Sequence, residues 1–227
     1  MAHSVSGPVS IDVVSDVICP WCFLGKRRLD AALALLDGLA VDVAWRPFML
    51  DPAIPKEGLD RHAYMAAKFG LERLKTIHDP LIAAGKADGV PYRFDAITRT
   101  PNTLDAHRLI RWAHLKGKQH QMAERLFMAY WNEGKDVGSH AVLADAAAEL
   151  GFDRAEILSD LASDRDVESV TREIQQASAM GVTGVPTYII GRRYGVVGAQ
   201  GPEVIADAIR KVAAEMLVKQ PVSPVSA

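Results

Sequence analysis

Cys19-Pro20-Trp21-Cys22 contains both cysteines of this 227-residue chain, and the pattern around it predicts the local fold. An alternating apolar run at residues 11–17 precedes it, and a stretch typical of a helix follows at residues 21–36. Alternation with a period of two predicts a β-strand. Both thiols are therefore expected at a strand-to-helix turn, at the start of the helix.

The start of a helix favours chemistry at the first of the two sulfurs. Backbone N–H groups there lack partners within the helix, and the positive end of the helix macrodipole lies close by. Both features favour a thiolate, which is the nucleophilic form of cysteine. We therefore assign Cys19 as a catalytic nucleophile and Cys22 as the thiol that resolves its mixed disulfides.

The two residues between the cysteines shape this predicted active-site motif. Pro20 suits the first helical position, where a missing N–H does no harm. Trp21 has two interpretations, an apolar platform for substrates or a side chain that packs against the scaffold. The sequence leaves both open.

A structural zinc site is one alternative interpretation of the two cysteines. Tetrahedral zinc needs two further ligands, but the chain has no second cysteine pair and its seven histidines show no local ligand spacing. Two inert core cysteines are a second alternative, since buried cysteine is common. We expect neither a metal nor a bound cofactor.

Composition limits the other classes of function. Hydrophobic residues make up 49% of the chain and charged residues 24%, as in soluble globular proteins. A formal net charge of −2 gives no sign of a nucleic-acid-binding surface, and no apolar run is long enough to span a membrane. The N-terminus does not resemble a secretory signal, so we expect a cytoplasmic protein in which a Cys19–Cys22 disulfide is transient and functional.

The pattern of secondary structure changes twice along the chain. A second alternating run, at residues 41–45, predicts a strand that ends at Pro47 and completes a βαβ unit. Later, strands at Thr187–Ile190 and Tyr194–Val197 form a predicted hairpin, and Pro202 begins a last helix. The zone between is almost wholly helical, with segments predicted at residues 60–69, 71–84, 102–116, 121–132, 139–150, 153–161 and 166–180.

A βαβ half and a ββα half, separated by a long helical block, predict an α/β domain that a second domain interrupts. We assign residues 9–50 and 181–217 to the discontinuous α/β domain, and residues 51–180 to an all-helical insertion domain. Residues 1–8 and the Pro/Ser-rich residues 218–227 are predicted to be flexible tails.

The order of these elements, together with the CxxC motif and a later Val-Pro dipeptide, resembles the thioredoxin-like DsbA family. The decapeptide from Cys19 to Arg28 is similar to the FrnE-type branch, which is grouped with 2-hydroxychromene-2-carboxylate isomerases and kappa-class glutathione transferases. The resemblance implies a thioredoxin-like fold with a large helical insertion. It covers residues 9–216 and extends through three further motifs, Arg46-Pro47-Phe48, Asn102-Thr103 with Ala106-His107-Arg108, and Gly181-Val182-Thr183-Gly184-Val185-Pro186-Thr187.

The resemblance also implies a substrate-binding loop. In the family, the bond that matches Val185-Pro186 is cis and faces the CxxC motif, so Val185 would offer its backbone to an extended substrate. Thr183 and Gly184 would shape this loop, although a simple turn explains them equally well.

Residues in the insertion give a second implied binding region. By the resemblance, Asn102 and His107 can line the substrate cleft. Helix-start preferences offer a simpler interpretation, in which Asn102 is an N-cap and both His107 and Arg108 are solvated. The run Lys26-Arg27-Arg28 is likewise most simply a solvated helix face, although its charge could attract anionic thiols such as glutathione.

The residues and the resemblance together predict a thiol–disulfide oxidoreductase or isomerase that acts on thiol or disulfide substrates, with glutathione as a candidate redox co-substrate. The alternative is a glutathione-dependent isomerase or transferase of the hydroxychromene or kappa type, acting on an aromatic or polyketide-like small molecule. Those relatives generally carry serine where this chain has Cys19 and lack the partner Cys22, which weakens the alternative. A binding module without turnover is a third hypothesis, and the aromatic and methionine content of the insertion is compatible with a homodimer.

Overall fold

The computed structural model describes residues 7–74 and 76–218 of the chain. The tails predicted at residues 1–8 and 218–227 lie outside the described residues, apart from residues 7, 8 and 218. The elements run, in chain order, as β1 (Val9–Ser15), α1 (Pro20–Ala34), β2 (Val41–Pro47), β3 (Leu59–Asp60), α2 (Arg61–Phe69), α3 (Leu71–Leu74), α4 (Asp79–Ala87), β4 (Arg99–Thr100), α5 (Leu104–His114), α6 (Gln119–Trp131), α7 (His140–Glu149), α8 (Arg154–Ala162), α9 (Val167–Ala179), β5 (Thr187–Ile190), β6 (Tyr194–Val197) and α10 (Pro202–Val218).

Four strands form the sheet that carries the site, in the order β2-β1-β5-β6. β1 pairs parallel with β2, with Val9 opposite Val41, and antiparallel with β5. Val9, Ile11 and Val13 form a buried face of this central strand, which explains the alternation in the sequence. The βαβ and ββα halves of a thioredoxin-like fold are therefore confirmed.

The hairpin between β5 and β6 has a turn that its sequence specifies. Gly191 and Arg192 both have a φ of +58°, and the Arg193 N–H donates to the Ile190 carbonyl at 3.1 Å. Positive φ at both central residues is typical of a type I′ turn, whose twist matches that of the flanking strands. Glycine is needed at the first of them, because a Cβ there would lie 2.5 Å from Val212.

The helical segment between β2 and β5 packs directly against the sheet. Helices α5, α6 and α9 contact β2, and α6 also contacts α1. Phe23 of α1 stacks on Phe127 of α6 with ring centroids 5.5 Å apart. One continuous hydrophobic core therefore joins the sheet to the helices and fixes them relative to the CxxC turn.

The predicted helices are confirmed to within two residues at each end, except that the single helix predicted at residues 71–84 is wrong. The chain forms two helices there, Leu71–Leu74 and Asp79–Ala87. Pro80 lies in the first turn of the second one, where its missing N–H is harmless. Inside a continuous helix it would remove a hydrogen bond and clash with the preceding turn.

Two short strands have no counterpart in the sequence-based prediction. The two-residue strands β3 and β4 pair antiparallel, with Leu59 opposite Thr100 and Asp60 opposite Arg99. The Asp60 carboxylate then caps α2 by accepting from the Ala63 N–H at 2.8 Å. Strands of two residues are too short to show alternation. Their pairing nevertheless fixes where α2 begins.

Candidate active site

The CxxC motif lies between β1 and α1, at the start of the helix. Cys19 is the N-cap residue of α1, and Pro20 occupies the first turn. The Cys22 N–H donates to the Cys19 carbonyl at 3.0 Å, so the second thiol lies inside that turn. Both cysteines are buried and carry free thiols, so the structure presents the reduced pair.

A buried aspartate fixes the backbone just before the motif. The Asp16 carboxylate accepts from the Ile18 N–H at 3.4 Å and from the Leu50 N–H at 2.8 Å. The Asp16 carbonyl accepts from the Cys19 N–H at 3.0 Å. Asp16 therefore ties the turn that carries Cys19 to the loop that follows β2. No pattern in the sequence pointed to this role of Asp16.

The loop before β5 brings a second segment to the first cysteine. The Cys19 thiol donates to the Val185 carbonyl oxygen, with Sγ 3.6 Å from that oxygen, and the Val185–Pro186 peptide bond is cis. The Thr187 hydroxyl donates to the Gly184 carbonyl at 2.7 Å, which holds the loop. Two segments 166 residues apart in the sequence thus meet at Cys19.

A glycine inside α1 lets the helix approach this loop closely. A Cβ at Gly25 would lie 2.8 Å from the Pro186 ring and closer still to the Tyr188 hydroxyl. Gly25 was not predicted to matter, although its position inside a helix was a signal. Glycine inside a helix lowers stability by about 1 kcal/mol relative to alanine, so its presence commonly has a packing reason.

Burial keeps the second thiol protonated. Loss of hydration raises the pKa of Cys22 well above its usual range, and the neighbouring Cys19 raises it further. The nearby Ser15 side chain lowers this pKa only in part. At neutral pH the reduced Cys22 is therefore a neutral thiol.

Cys19 lines a cleft of about 540 Å³. Pro20 and Trp21 line it on the side of the motif, and Gly184 and Val185 line it from the loop before β5. The helical segment supplies a wall of apolar and aromatic side chains that includes Tyr64, Met65, Phe69, Ile77, Leu81 and Trp131. Among the described residues that line it, those with a titratable cationic group are Arg61, Lys68, Arg73 and His78, and none is an aspartate or glutamate.

Aromatic residues frame the CxxC turn from two sides. Trp21 is 41% exposed and lines the cleft, which favours the interpretation as an apolar platform over that of a packed scaffold residue. Trp131, which the sequence analysis did not single out, is buried, and its indole N–H donates to the Val17 carbonyl at 3.0 Å. The Tyr92 hydroxyl donates to the Pro20 carbonyl.

Four residues that were predicted to contact substrate do not line this cleft, namely Thr183, Pro186, Asn102 and His107. In the loop before β5, Thr183 is exposed and Pro186 is buried. The Asn102 amide donates to the Ile54 carbonyl at 2.7 Å, and His107 Nε2 donates to the Phe48 carbonyl at 2.9 Å. Asn102 and His107 therefore hold backbone segments in place.

The interpretation of His107 and Arg108 as solvated residues is wrong, because both side chains are buried. A guanidinium has five N–H donors, and burial leaves them without water. Arg108 satisfies its donors at the end of α8, through five hydrogen bonds to the Asp105 carboxylate and the carbonyls of Asp160, Leu161, Ser163 and Arg165.

The run Lys26-Arg27-Arg28 is not a solvated helix face either. Lys26 is buried and pairs with Glu124 of α6 at 3.0 Å. Arg28 pairs with Asp88, which follows α4, at 2.8 Å. These ion pairs join α1 to the helical segment. Because the charges are neutralised there, this run is not a source of attraction for anionic thiols such as glutathione.

Residues 7–74 and 76–218 contain neither a candidate metal site nor a candidate membrane span. No group of three or more His, Cys, Asp or Glu side chains in this part of the chain could hold a metal ion. No helix in it is long and apolar enough to cross a membrane.

Comparison with known proteins identifies the family. The model of the DSBA-like thioredoxin domain matches residues 10–210 of the chain. The chain belongs to this family. The resemblance that the CxxC and Val-Pro motifs indicated is therefore confirmed at the level of the family and its fold.

Individual relatives agree with this assignment over nearly the whole chain. The uncharacterized protein YwbO of Bacillus subtilis (strain 168) is 31% identical over 203 residues, which cover 88% of this chain and 96% of YwbO. The structure of a probable DsbA oxidoreductase, SCO1869 from Streptomyces coelicolor, is 30% identical, with a TM-score of 0.84 over 96% of this chain and 94% of its own. A 2-hydroxychromene-2-carboxylate isomerase shares the fold at 17% identity, with a TM-score of 0.70 over 93% of this chain and 100% of its own.

Proposed function

We propose that this protein is a thiol–disulfide oxidoreductase or isomerase that works through Cys19 and Cys22. The observation that carries the proposal is the position of the pair in the first turn of α1, with Cys19 in a cleft beside Val185. Membership in the DsbA-like family supports it.

In the reductive direction, the Cys19 thiolate attacks one sulfur of a substrate disulfide. A bond forms between Cys19 and that sulfur, the substrate S–S bond breaks, and the other sulfur leaves as a thiolate that takes up a proton. Cys22 then loses its proton and attacks the Cys19 sulfur, which releases the second substrate thiol. The protein ends with a Cys19–Cys22 disulfide, two electrons poorer, and the substrate is reduced to two thiols.

Val185 and Trp21 are the residues that we propose contact the substrate. The Val185 carbonyl accepts from the Cys19 thiol in the free protein. When Cys19 loses its proton, that carbonyl becomes free to accept an N–H from an extended substrate backbone. Trp21 adds exposed apolar surface at the same cleft.

The direction of exchange depends on the redox potential of the pair. DsbA carries histidine before its second cysteine, whereas this chain carries Trp21, which cannot act as a cationic partner of a thiolate. We therefore expect a weaker oxidant than DsbA. Glutathione is the redox co-substrate that we propose for the return step, in which two glutathione thiols reduce the Cys19–Cys22 disulfide and leave as glutathione disulfide.

A glutathione-dependent isomerase is the second candidate function. The hydroxychromene isomerase shares the fold, and at 17% identity the likeness reaches no further. Such enzymes generally have serine at the position of Cys19, and an isomerisation needs no second thiol at Cys22. The dithiol therefore favours redox exchange over isomerisation.

Insulin reduction by wild type, Cys19→Ser and Cys22→Ser proteins tests the proposed mechanism. Cys19→Ser is expected to abolish exchange, and Cys22→Ser to accumulate a mixed disulfide at Cys19 that mass spectrometry detects. Full activity in both variants would remove the mechanism. Glutathione-dependent isomerisation of a chromene carboxylate, equally fast in wild type and Cys22→Ser, would establish the second candidate instead.

A further inference from the structure

The start of α2 places a buried cation in the cleft that contains Cys19. Arg61, the first residue of α2, is 8% exposed and lines the cleft. Its backbone is fixed, because its N–H donates to the Thr98 carbonyl at 3.0 Å and Asp60 caps the same helix start. The guanidinium is therefore attached to a well-anchored part of the cleft wall.

The Arg61 side chain contacts aromatic residues, whereas a buried guanidinium is expected to contact a carboxylate. Its guanidinium donates to the Tyr130 hydroxyl at 3.1 Å, and its central carbon lies 5.9 Å from the Tyr130 ring centroid and 5.5 Å from that of Trp131. No carboxylate within residues 7–74 and 76–218 forms an ion pair with it. A guanidinium has five N–H donors, so these contacts leave donors and positive charge for a ligand. A buried charge without a partner is costly, and this cost favours binding of an anion.

The other charged groups of the cleft do not neutralise Arg61. Lys68 and Arg73 are exposed cations at its edge, and Lys68 already contacts Asp51 at 3.8 Å. Burial lowers the pKa of His78, and the charge of Arg61 lowers it further, so His78 is neutral at pH 7. Arg61 is thus the buried cation among the described residues of this cleft.

We propose that the cleft selects thiol or disulfide substrates that carry a carboxylate on an apolar or aromatic body, and that Arg61 binds this carboxylate. The planar fork of a guanidinium matches the two oxygens of a carboxylate, and the apolar lining of the cleft suits the rest of the ligand. Arg61 then acts as the specificity-determining residue of the cleft that contains the nucleophile. The inference rests on the proposed function, because it names the substrate class of the same site.

Single-turnover exchange with matched disulfides tests the selectivity. Reduced protein is mixed with dithiodiglycolate or with 2-hydroxyethyl disulfide, which has a hydroxymethyl group in place of each carboxylate. Each turnover converts one disulfide to two thiols and the reduced protein to its Cys19–Cys22 disulfide, so no other reductant is needed. The ratio of the two rates is the readout, because a general loss of activity cancels in it.

Arg61→Gln is expected to lower the carboxylate-to-neutral rate ratio about 10- to 100-fold relative to wild type, the range of one buried charge-assisted contact. Arg61→Lys keeps the charge without the fork and should lose part of the ratio. Arg73→Gln removes an exposed charge from the same cleft and is the matched control. An unchanged ratio in Arg61→Gln, or an equal loss in Arg73→Gln, overturns the proposal.

A binding experiment separates this inference from the proposed function. Cys19→Ser protein, which cannot exchange, is titrated with 3-phenylpropionate and with its neutral amide while tryptophan fluorescence is followed. The carboxylate is expected to bind at least 10-fold tighter, and Arg61→Gln in the same background should abolish the difference. Equal binding of both probes overturns carboxylate selection even where thiol exchange works. If the protein prefers the carboxylate but the wild type reduces no disulfide, carboxylate binding by Arg61 is supported and the proposed redox function is refuted.

Discussion

Two buried arginines in two regions of the molecule have opposite surroundings. Arg108 lies on α5 and faces the end of α8. It is 1% exposed and donates five hydrogen bonds within the protein. Arg61, beside the Cys19 cleft, is nearly as buried but has one hydroxyl and two ring faces as its described partners. The first region uses its cation to join parts of the scaffold. The second leaves its cation facing a cleft.

The contrast between these two arginines gives a criterion that separates structural charges from ligand-binding charges. Both residues begin or occupy helices, and burial alone does not distinguish them. What distinguishes them is whether the protein itself supplies acceptors for the guanidinium. A scaffold arginine should therefore be important for stability, and a ligand-binding arginine for selectivity.

The largest effect on stability is expected for Arg108→Met. The change removes the Arg108 donor from four carbonyls and from the Asp105 carboxylate, so the free energy of unfolding should fall by about 3–5 kcal/mol, as when one partner of a buried network is removed. Urea denaturation measures it. Arg172→Met, at an exposed pair with Glu168 on α9, is the control and should cost less than about 0.5 kcal/mol. A loss below 1 kcal/mol for Arg108→Met would contradict the scaffold role.

An intermediate effect is expected for Gly25→Ala, which alters the contact between α1 and the cleft loop. The new methyl group meets the Pro186 ring and the Tyr188 hydroxyl, and overpacking of this kind costs about 1–3 kcal/mol. Because α1 must move away from Pro186, insulin reduction should also slow. Gly195→Ala, where a Cβ meets open space, is the matched control. Unimpaired stability and activity in Gly25→Ala would show that the close approach is not needed.

The smallest effect on stability is expected for Arg61→Gln. The loss of one hydrogen bond and two ring contacts is offset by removal of a poorly compensated buried charge, so the free energy of unfolding should change by less than about 1 kcal/mol. Urea denaturation alongside Arg108→Met gives the comparison directly. Equal destabilisation by both variants would mean that Arg61 is also a scaffold residue.

The sequence predicted the fold well where periodicity is long. The strands at Val9–Ser15 and Val41–Pro47 and the hairpin follow from alternation, and six helical segments follow from helical spacing. The sequence-based prediction failed where an element or a break involves only a few residues. The break near Pro80 and the two-residue strands at Leu59–Asp60 and Arg99–Thr100 carry too few residues for a pattern to emerge.

In the candidate site, too, the local features were predicted and the features that depend on distant segments were missed. The place of Cys19 and Cys22 at a helix start followed from neighbouring residues alone, because helix starts are local features. The roles of Asp16 and Gly25 were missed, since both depend on contacts with distant segments. His107 and Arg108 were interpreted as solvated because a short helical window does not reveal which face is covered.

Local sequence was therefore enough to predict two thiols at the start of a helix, in a chain of the DsbA-like family. Contacts between distant segments set what surrounds these thiols. The tertiary structure placed Val185 against Cys19 across 166 residues, buried Cys22, and left Arg61 without a described carboxylate partner while giving Arg108 five acceptors. The physical reason is that nucleophilic groups are properties of residues, whereas burial and pairing are properties of contacts between residues far apart in the chain.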